Sequence, residues 1–259
     1  VALADSLDNL GAHLSACGHA EEAIATAREA VELWRRLAAT VPAAHEPGLG
    51  HALNALSNAL SEVGRAPDAL AAAEEAVALW RRLAADSPAA FEHELVQALG
   101  TLGIRLSDVG RHRDAAATSR EVVEIYRRLA ARAPARYERN LAIMLLNLGG
   151  QVYHLGELPE ALALTEEAVA LWRKLVATEP DANEPGLART VCNLGVFLRE
   201  SGRLAEARAA GLEATALHRR LAARHPEAFE PFLANSLDNL GSTLAALGLA
   251  ADALAAAEE

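Results

Sequence analysis

The residues of this chain that could perform chemistry do not form any sequence motif that catalysis uses, although a catalytic triad could still assemble from residues distant in sequence. The single lysine, Lys174, lies within LWRKLV and not after the glycine-rich turn of a phosphate-binding loop. The sequence contains no G-x-S-x-G or H-E-x-x-H motif, and its nine histidines fall at unrelated positions. We therefore expect no enzymatic activity, no catalytic residue and no cofactor. A bound nucleotide or metal would revive the hypothesis of an enzyme.

The strongest candidate for a metal site is the pair His13 and Cys17, four residues apart, with His19 close behind. A structural zinc ion needs four ligands, and this grouping occurs at one place only. We interpret it as an exposed histidine beside a packed cysteine and predict no metal site. Cys17 and Cys192 are interpreted as small apolar packing residues in a reducing compartment.

The charge and hydropathy of the chain limit its partners. A formal net charge of −11 argues against nucleic acid, whose binding depends on clustered cations. No stretch reaches the roughly 18 consecutive apolar residues of a transmembrane helix. The first ten residues, VALADSLDNL, are amphipathic and unlike a signal peptide. These features predict a soluble, cytoplasmic protein that binds neither nucleic acid nor membranes.

The sequence segments that carry these residues repeat at a constant spacing along the chain. Related segments recur every 46 residues, namely LWRRLA at 33 and 79, IYRRLA at 125, LWRKLV at 171 and LHRRLA at 217. We predict a single array over residues 1–259, with five complete units and a truncated sixth. The approximate units are 1–46, 47–92, 93–138, 139–184, 185–230 and 231–259.

Each unit contains two amphipathic helical patterns, predicted in the second unit at residues 48–63 (helix A) and 66–85 (helix B). Equivalent positions of successive units, 46 residues apart, form what we call a column. A glycine column ends each helix A, and a proline column ends each helix B. Alanine, leucine, glutamate and arginine dominate the composition, so the fold class is predicted as all-α. The glycines are Gly18, Gly64, Gly110, Gly156, Gly202 and Gly248, and the prolines are Pro42, Pro88, Pro134, Pro180 and Pro226.

Two further columns of helix B have alternative interpretations. Paired arginines near its end, such as Arg81 and Arg82, match the helix dipole and can bond to first-turn glutamates such as Glu46; the alternative is a basic ligand groove. A ring column favours stacking on the next repeat over ligand recognition. It comprises Trp34, Trp80, Tyr126, Trp172 and His218.

These columns resemble the tetratricopeptide repeat along the whole chain. The resemblance rests on Asn-Leu-Gly in helix A (9–11, 147–149, 193–195 and 239–241), on the turn glycine, and on Glu-Glu-Ala at 21–23 followed by Ala30. The unit is longer than usual and resembles the long-helix subgroup of kinesin light chains and of arrays attached to bacterial signalling ATPases. The resemblance implies a right-handed superhelical solenoid of antiparallel helix pairs. Its concave wall would be lined by the A helices and would bind proteins or peptides.

A binding site should lie where equivalent positions differ between units. On the face of helix A opposite its leucines, the end units are polar, whereas the third to fifth units carry an apolar patch that includes Cys192. An asparagine column on this face could pair with a peptide backbone; the alternative is that it bonds only to neighbouring helices. The predicted peptide-binding residues are Ile104, Ile143, Leu146, Asn147, Tyr153, Arg189, Asn193, Val196 and Arg199.

These observations favour a protein- or peptide-binding scaffold or sensor segment of a larger bacterial regulatory protein. The two arginines at the edge of the patch favour an acidic partner segment. The alternative is a structural spacer, or an end-to-end self-assembly element, that has no ligand. Such association would use Leu3, Leu7 and Leu10 at one end and Leu240, Leu244 and Leu254 at the other.

Overall fold

The structure is a computed structural model that describes residues 1–249, 251 and 253. This part of the chain contains α-helices and no strand, which confirms the predicted all-α array of helix pairs. Odd-numbered helices are the A helices and even-numbered helices are the B helices. Most residues of the predicted sixth helix B, including Leu254, lie outside the described residues. The helices are α1 (Ala2–Ala16), α2 (Ala20–Thr40), α3 (Pro42–Glu62), α4 (Ala66–Asp86), α5 (Pro88–Asp108), α6 (His112–Arg132), α7 (Pro134–His154), α8 (Leu158–Thr178), α9 (Pro180–Glu200), α10 (Leu204–Arg224) and α11 (Pro226–Ala246).

The turn from each helix A to its helix B is made by the predicted glycine column. Gly64 has φ +73°, in the left-handed region that glycine enters without steric cost. Its backbone N–H donates to the carbonyl of Ser61, and the N–H of Arg65 donates to the carbonyl of Leu60. This pattern closes the end of α3 by satisfying two of its last carbonyl groups. The other five glycines of the column also have positive φ.

The joint from helix B to the next helix A is a single residue. Ser87, between α4 and α5, has φ −142° and ψ 75°, an extended conformation that suits the residue before a proline. Pro88 is therefore the first residue of α5, where its missing N–H costs no helical hydrogen bond. The predicted start of helix A at residue 48 is wrong, because α3 begins at Pro42 and continues through Pro47.

The chain divides into two compact units, Val1–Ile125 and Tyr126–Glu259. Within the first, consecutive helices from α1 to α5 pack on one another, and within the second, consecutive helices from α7 to α11 do so. The A helices also contact each other, α1 with α3 and α3 with α5 in the first unit, and α7 with α9 and α9 with α11 in the second. We call the side of each unit where they meet the A-helix face.

The ring column of the B helices packs against the helix A that follows, as predicted. Four of the five rings contact a residue fourteen positions further along the chain, and a large ring has a small partner there whereas a small ring has a large one. A Cβ atom on Gly186 would lie 2.6 Å from ring atoms of Trp172, so only glycine fits beside that indole. Trp80 is an exception, since the glycine at its ring is Gly50. The other pairs are Trp34 with Gly48, Tyr126 with Asn140, and His218 with Phe232.

The arginine pairs of the B helices are used in ion pairs between neighbouring helices. Arg81 bonds to Glu121 of the next helix B at 2.6 Å, and Arg82 bonds to Glu46 at 2.9 Å. The predicted pairing with glutamates of the Glu46 column is thus confirmed. These cations pair with carboxylates of neighbouring helices instead of forming an open basic groove. Equivalent pairs are Arg35–Glu75, Arg127–Glu167, Arg173–Glu213, Lys174–Glu138 and Arg220–Glu184.

Candidate peptide-binding surface

The predicted site residues lie on A helices of both compact units. Ile104 belongs to α5 in the first unit and is 57 % exposed. The other candidates belong to α7 and α9 in the second unit. Asn147 and Arg189 are exposed there, whereas Ile143, Tyr153, Asn193, Val196 and Arg199 are partly buried.

Leu146 and Cys192 are corrections to the predicted patch, because both are buried. Leu146 is only 4 % exposed, so it cannot form part of an open apolar surface. Its equivalent in the first unit, Asp8, accepts a hydrogen bond of 2.8 Å from the indole N–H of Trp34. Cys192, the equivalent residue in the fifth repeat, lies within hydrogen-bonding range of side chains of α11, its sulfur 3.5 Å from Nδ2 of Asn239. Members of this column thus contact the paired helix B or the next helix A.

Tyr153 links two neighbouring A helices. Its ring stacks on Phe197 of α9, with the centroids 4.5 Å apart and the planes inclined by 28°. Phe197 is buried, whereas Tyr153 keeps part of its ring accessible. The tyrosine thus packs against the next helix A and remains partly exposed.

The asparagine column serves more than one purpose. Nδ2 of Asn239 lies 3.5 Å from the sulfur of Cys192 on α9 and also donates to Oδ1 of Asn235 on its own helix at 3.1 Å. This member of the column follows the alternative of bonding to neighbouring helices. Asn147 is exposed, so its amide is accessible to a partner.

A cleft of about 350 Å³ opens between the N-terminal halves of α7, α9 and α11. Trp172 and His218 of the B helices form part of its lining and are both buried. Phe232 is 47 % exposed and stacks on His218, with the centroids 6.0 Å apart. The remaining lining includes Ile143, Arg139 and Arg189, together with Phe229, Ala182, Pro185 and Gly186.

The cleft combines an aromatic lining with positive charge. Arg139 is held by Glu179 at 3.1 Å, and both side chains are exposed. No ion pair with Arg189 is found among the described residues, and it contributes a cation beside the aromatic rings. Burial lowers the pKa of His218 below its ordinary value, so the imidazole is neutral near pH 7. The arrangement suits a flat or apolar side chain next to a carboxylate.

Sequence reasoning found Ile143 and Arg189 in this cleft but missed its aromatic residues. Phe229 and Phe232 lie in the first turns of α11, which the sequence analysis had left outside or at the edge of helix A. A signal was available, because aromatic residues recur in one column at Phe91, Tyr137 and Phe229. In the part of the chain that the structure describes, no helix is long and apolar enough to span a membrane. Nor do three or more metal-binding side chains cluster there.

The chain is similar in fold to several solved helical-repeat structures. BtubC (BKLC) from P. vanneervenii is 23 % identical, with 92 % of this chain and 88 % of that chain covered and a TM-score of 0.63. A putative kinesin light chain from Podosopora anserina with nearly identical tetratricopeptide-like repeats is 18 % identical, with coverages of 85 % and 96 % and a TM-score of 0.62.

This chain matches only part of a third solved structure. It is a Signal Transduction ATPase with Numerous Domains from Pyrococcus horikoshii that carries a tetratricopeptide repeat sensor. The identity is 13 %, the TM-score is 0.64, and the match covers 95 % of this chain but 34 % of that one. A comparison with curated proteins found no match.

A family profile settles the relationship. The profile described as tetratricopeptide repeat matches residues 3–38, 49–89, 141–180 and 187–227, which together make up more than half of the sequence. Members of this family generally mediate protein–protein interaction or act as scaffolds. The chain belongs to the tetratricopeptide repeat family.

Proposed function

We propose that this chain is a protein-binding scaffold or sensor segment of a larger bacterial regulatory protein in the cytoplasm, without catalytic activity. Family membership supports the binding role. The similarity to an array that is described as the sensor of a signalling ATPase supports the place within a larger protein. The observation that carries the proposal is the cleft of α7, α9 and α11, where exposed aromatic surface adjoins Arg189.

The proposed partner is an acidic or carboxylate-bearing peptide segment on the A-helix face of the second unit. Arg189 would receive a carboxylate, and Phe232 and Ile143 would contact an apolar side chain of the same segment. Asn147 and Asn193 would bond to its backbone, and Tyr153, Val196 and Arg199 would contact its continuation along α7 and α9. Ile104 remains a candidate contact in the first unit.

An unbiased selection of random twelve-residue peptides on the full chain tests this proposal. We expect the enriched peptides to carry aspartate or glutamate beside a bulky apolar residue. Phe232→Ala should weaken their binding by about 2 kcal/mol, the cost of truncating a central aromatic contact. Arg189→Glu should weaken it further, because a like charge then faces the peptide.

The control is Leu212→Ala, an equally exposed apolar residue on α10 that does not line the cleft. It should leave peptide affinity unchanged, and the helical circular dichroism of all three variants should match that of the parent chain. The proposal fails if no peptide family is enriched. It also fails if the enriched peptides bind equally to the Arg189→Glu and Phe232→Ala variants.

Self-association without a ligand is the alternative function. Leu3 and Leu10 of α1 are exposed and could contact a second copy. The leucines predicted for the other end of the array are a correction, because Leu240 and Leu244 are each only 5 % exposed and pack inside their own unit. Sedimentation of the parent chain and of Leu3→Asp decides this alternative. Concentration-dependent association that the substitution removes would favour it over peptide binding.

A further inference from the structure

On the A-helix face of the first unit, neighbouring A helices enclose two successive grooves, which we call intervals. One lies between α1 and α3, and the other lies between α3 and α5. Residues 46 positions apart occupy equivalent places in the two intervals. A side chain that fills one interval can therefore be compared with the residue at the same place in the other.

The interval between α3 and α5 is filled by an arginine of the chain itself. The guanidinium of Arg105 donates to the hydroxyl of Ser61, to Oδ2 of Asp108 at 2.9 Å and to Oδ1 of Asn58 at 3.4 Å. The Arg105 side chain is only 11 % exposed. It thus spans the two A helices and occupies the space between them.

The interval between α1 and α3 keeps acceptors at two of the three equivalent positions, with Ala12 in the place of Asn58, and lacks the arginine. Ala59 stands in the place of Arg105, whereas Ser15 and Glu62 stand in the places of Ser61 and Asp108. Here a cleft of about 380 Å³ is open, a volume within the range of ligand sites, about 300–1,000 Å³. Ser15 donates to Glu62 at 2.5 Å across it. Most of the remaining lining is small or apolar: Leu7, Gly11, Ala12, Ala16, Ala23, Ala27 and Ala55.

The lining of this cleft carries negative charge without a cation. Asp8 and Glu62 are its two charged residues, and Asn58 adds an amide. Burial raises the pKa of Asp8, and Oδ1 of this carboxylate is buried with no hydrogen-bond partner. Asp5 raises the same pKa further, whereas Trp34 and His51 lower it. A cation that entered the cleft would interact favourably with both carboxylates.

We propose that this cleft binds the guanidinium group of an arginine side chain from a partner protein, in the place that Arg105 occupies in the next interval. Glu62 and Ser15 accept hydrogen bonds from the guanidinium, as Asp108 and Ser61 do from Arg105. The alanines and Leu7 surround the aliphatic stem of the side chain. A lysine is a poorer fit, because its ammonium lacks the planar fork of donors that reaches acceptors on two helices at once.

The experiment uses the full chain and the probe N-acetyl-arginine amide. Amide chemical shifts in nitrogen–proton NMR spectra report both the affinity and the location of binding. A ligand of this size is expected to bind with a dissociation constant on the order of 1 mM. The shifts should be confined to residues around Ser15 and Glu62. N-acetyl-citrulline amide, which has the same shape without the charge, should bind about tenfold more weakly, as should N-acetyl-lysine amide.

Three variants locate the site. Ala59→Arg should abolish binding, because the new side chain fills the cleft as Arg105 fills its neighbour. Glu62→Gln should weaken binding at least about fivefold through the loss of a charge-assisted hydrogen bond. Glu29→Gln, an exposed residue of α2 outside the lining, should leave affinity unchanged.

Equal binding of the citrulline or lysine probe would overturn the assignment, as would unaltered arginine binding by Glu62→Gln. So would the absence of any shift around Ser15. If Ala59→Arg fails to fold, Glu62→Gln still decides the outcome. The site shares no residue with the cleft of the second unit, so its failure would leave the proposed function untouched.

Discussion

Gly186→Ala tests the packing between the ring column and the following helix A. The added methyl group would lie 2.6 Å from Cη2 and Cζ2 of Trp172, well inside van der Waals contact. Trp172 is buried, so its indole has little room to move aside. Gly150 of α7 is the matched control, since a Cβ atom there would meet nothing within 4 Å.

The expected change in the free energy of unfolding is the sum of two opposing contributions. Replacing a helical glycine with alanine stabilises the helix by about 0.4–1 kcal/mol, and this gain applies to both variants. Overpacking a close-packed site costs about 1–3 kcal/mol, and this cost applies to Gly186→Ala alone. The free energy of unfolding should therefore be about 1–3 kcal/mol lower for Gly186→Ala than for Gly150→Ala.

Urea denaturation, followed by helical circular dichroism and tryptophan fluorescence, measures this difference. A second test uses the Tyr126/Asn140 pair as a template: Trp172→Tyr combined with Gly186→Asn should cost less than the sum of the two single substitutions, with a coupling of about 0.5–3 kcal/mol. Equal stability of Gly186→Ala and Gly150→Ala would refute the reasoning, as would strictly additive effects in the double variant.

Three further predictions concern the turns, the buried imidazole and the ion pairs. Gly64→Ala should lower the free energy of unfolding by about 1 kcal/mol, because φ +73° is strained for alanine; urea denaturation measures it. His218 has a lowered folded pKa, so stability should be constant above the unfolded value of 6.5 and fall as the pH drops below it. His218→Gln should remove part of this acid dependence, and a folded pKa at or above 6.5 in an NMR titration would contradict it. A double-mutant cycle on Arg173 and Glu213 should give a coupling below about 1 kcal/mol that salt weakens, because both side chains are substantially exposed.

The helix pairs could be predicted from the sequence because each rests on residues with a local physical cause. Gly64 and its column adopt the left-handed conformation that the turn requires, and Pro88 and its column follow the end of helix B by a fixed step. The first residue of helix A was harder to predict from the sequence. Pro47 and Pro185 lie inside α3 and α9, where proline removes one hydrogen bond near the helix start without ending the helix.

The candidate surface was harder to predict because a helix in an array is covered on several sides. From the leucine pattern alone, every position opposite the leucines of helix A is predicted to be exposed. Helix α7, however, contacts both α8 and α9, so its buried arc is wider than one leucine stripe. Leu146 falls inside that arc. Phe229 of the cleft comes from the extra turns that precede residue 48 and its equivalents, which the pattern of helix A did not include, and Phe232 stands at the boundary itself.

The intervals between A helices show why arrays with one backbone plan can differ in what they bind. The turn glycines and the Arg–Glu pairs between B helices recur from repeat to repeat, so the backbone plan rests on columns that scarcely vary. What fills the space depends on single residues: Arg105 between α3 and α5, the Tyr153–Phe197 stack between α7 and α9, and Arg199 between α9 and α11. In each case a side chain of the array itself fills the groove between two of its A helices. Where the corresponding residues are as small as Ser15 and Ala59, the same spacing leaves an open cleft with its acceptors in place. In this chain, therefore, substitutions that shorten groove residues create sites, and substitutions that lengthen them close sites, without any change in the columns that hold the helices together.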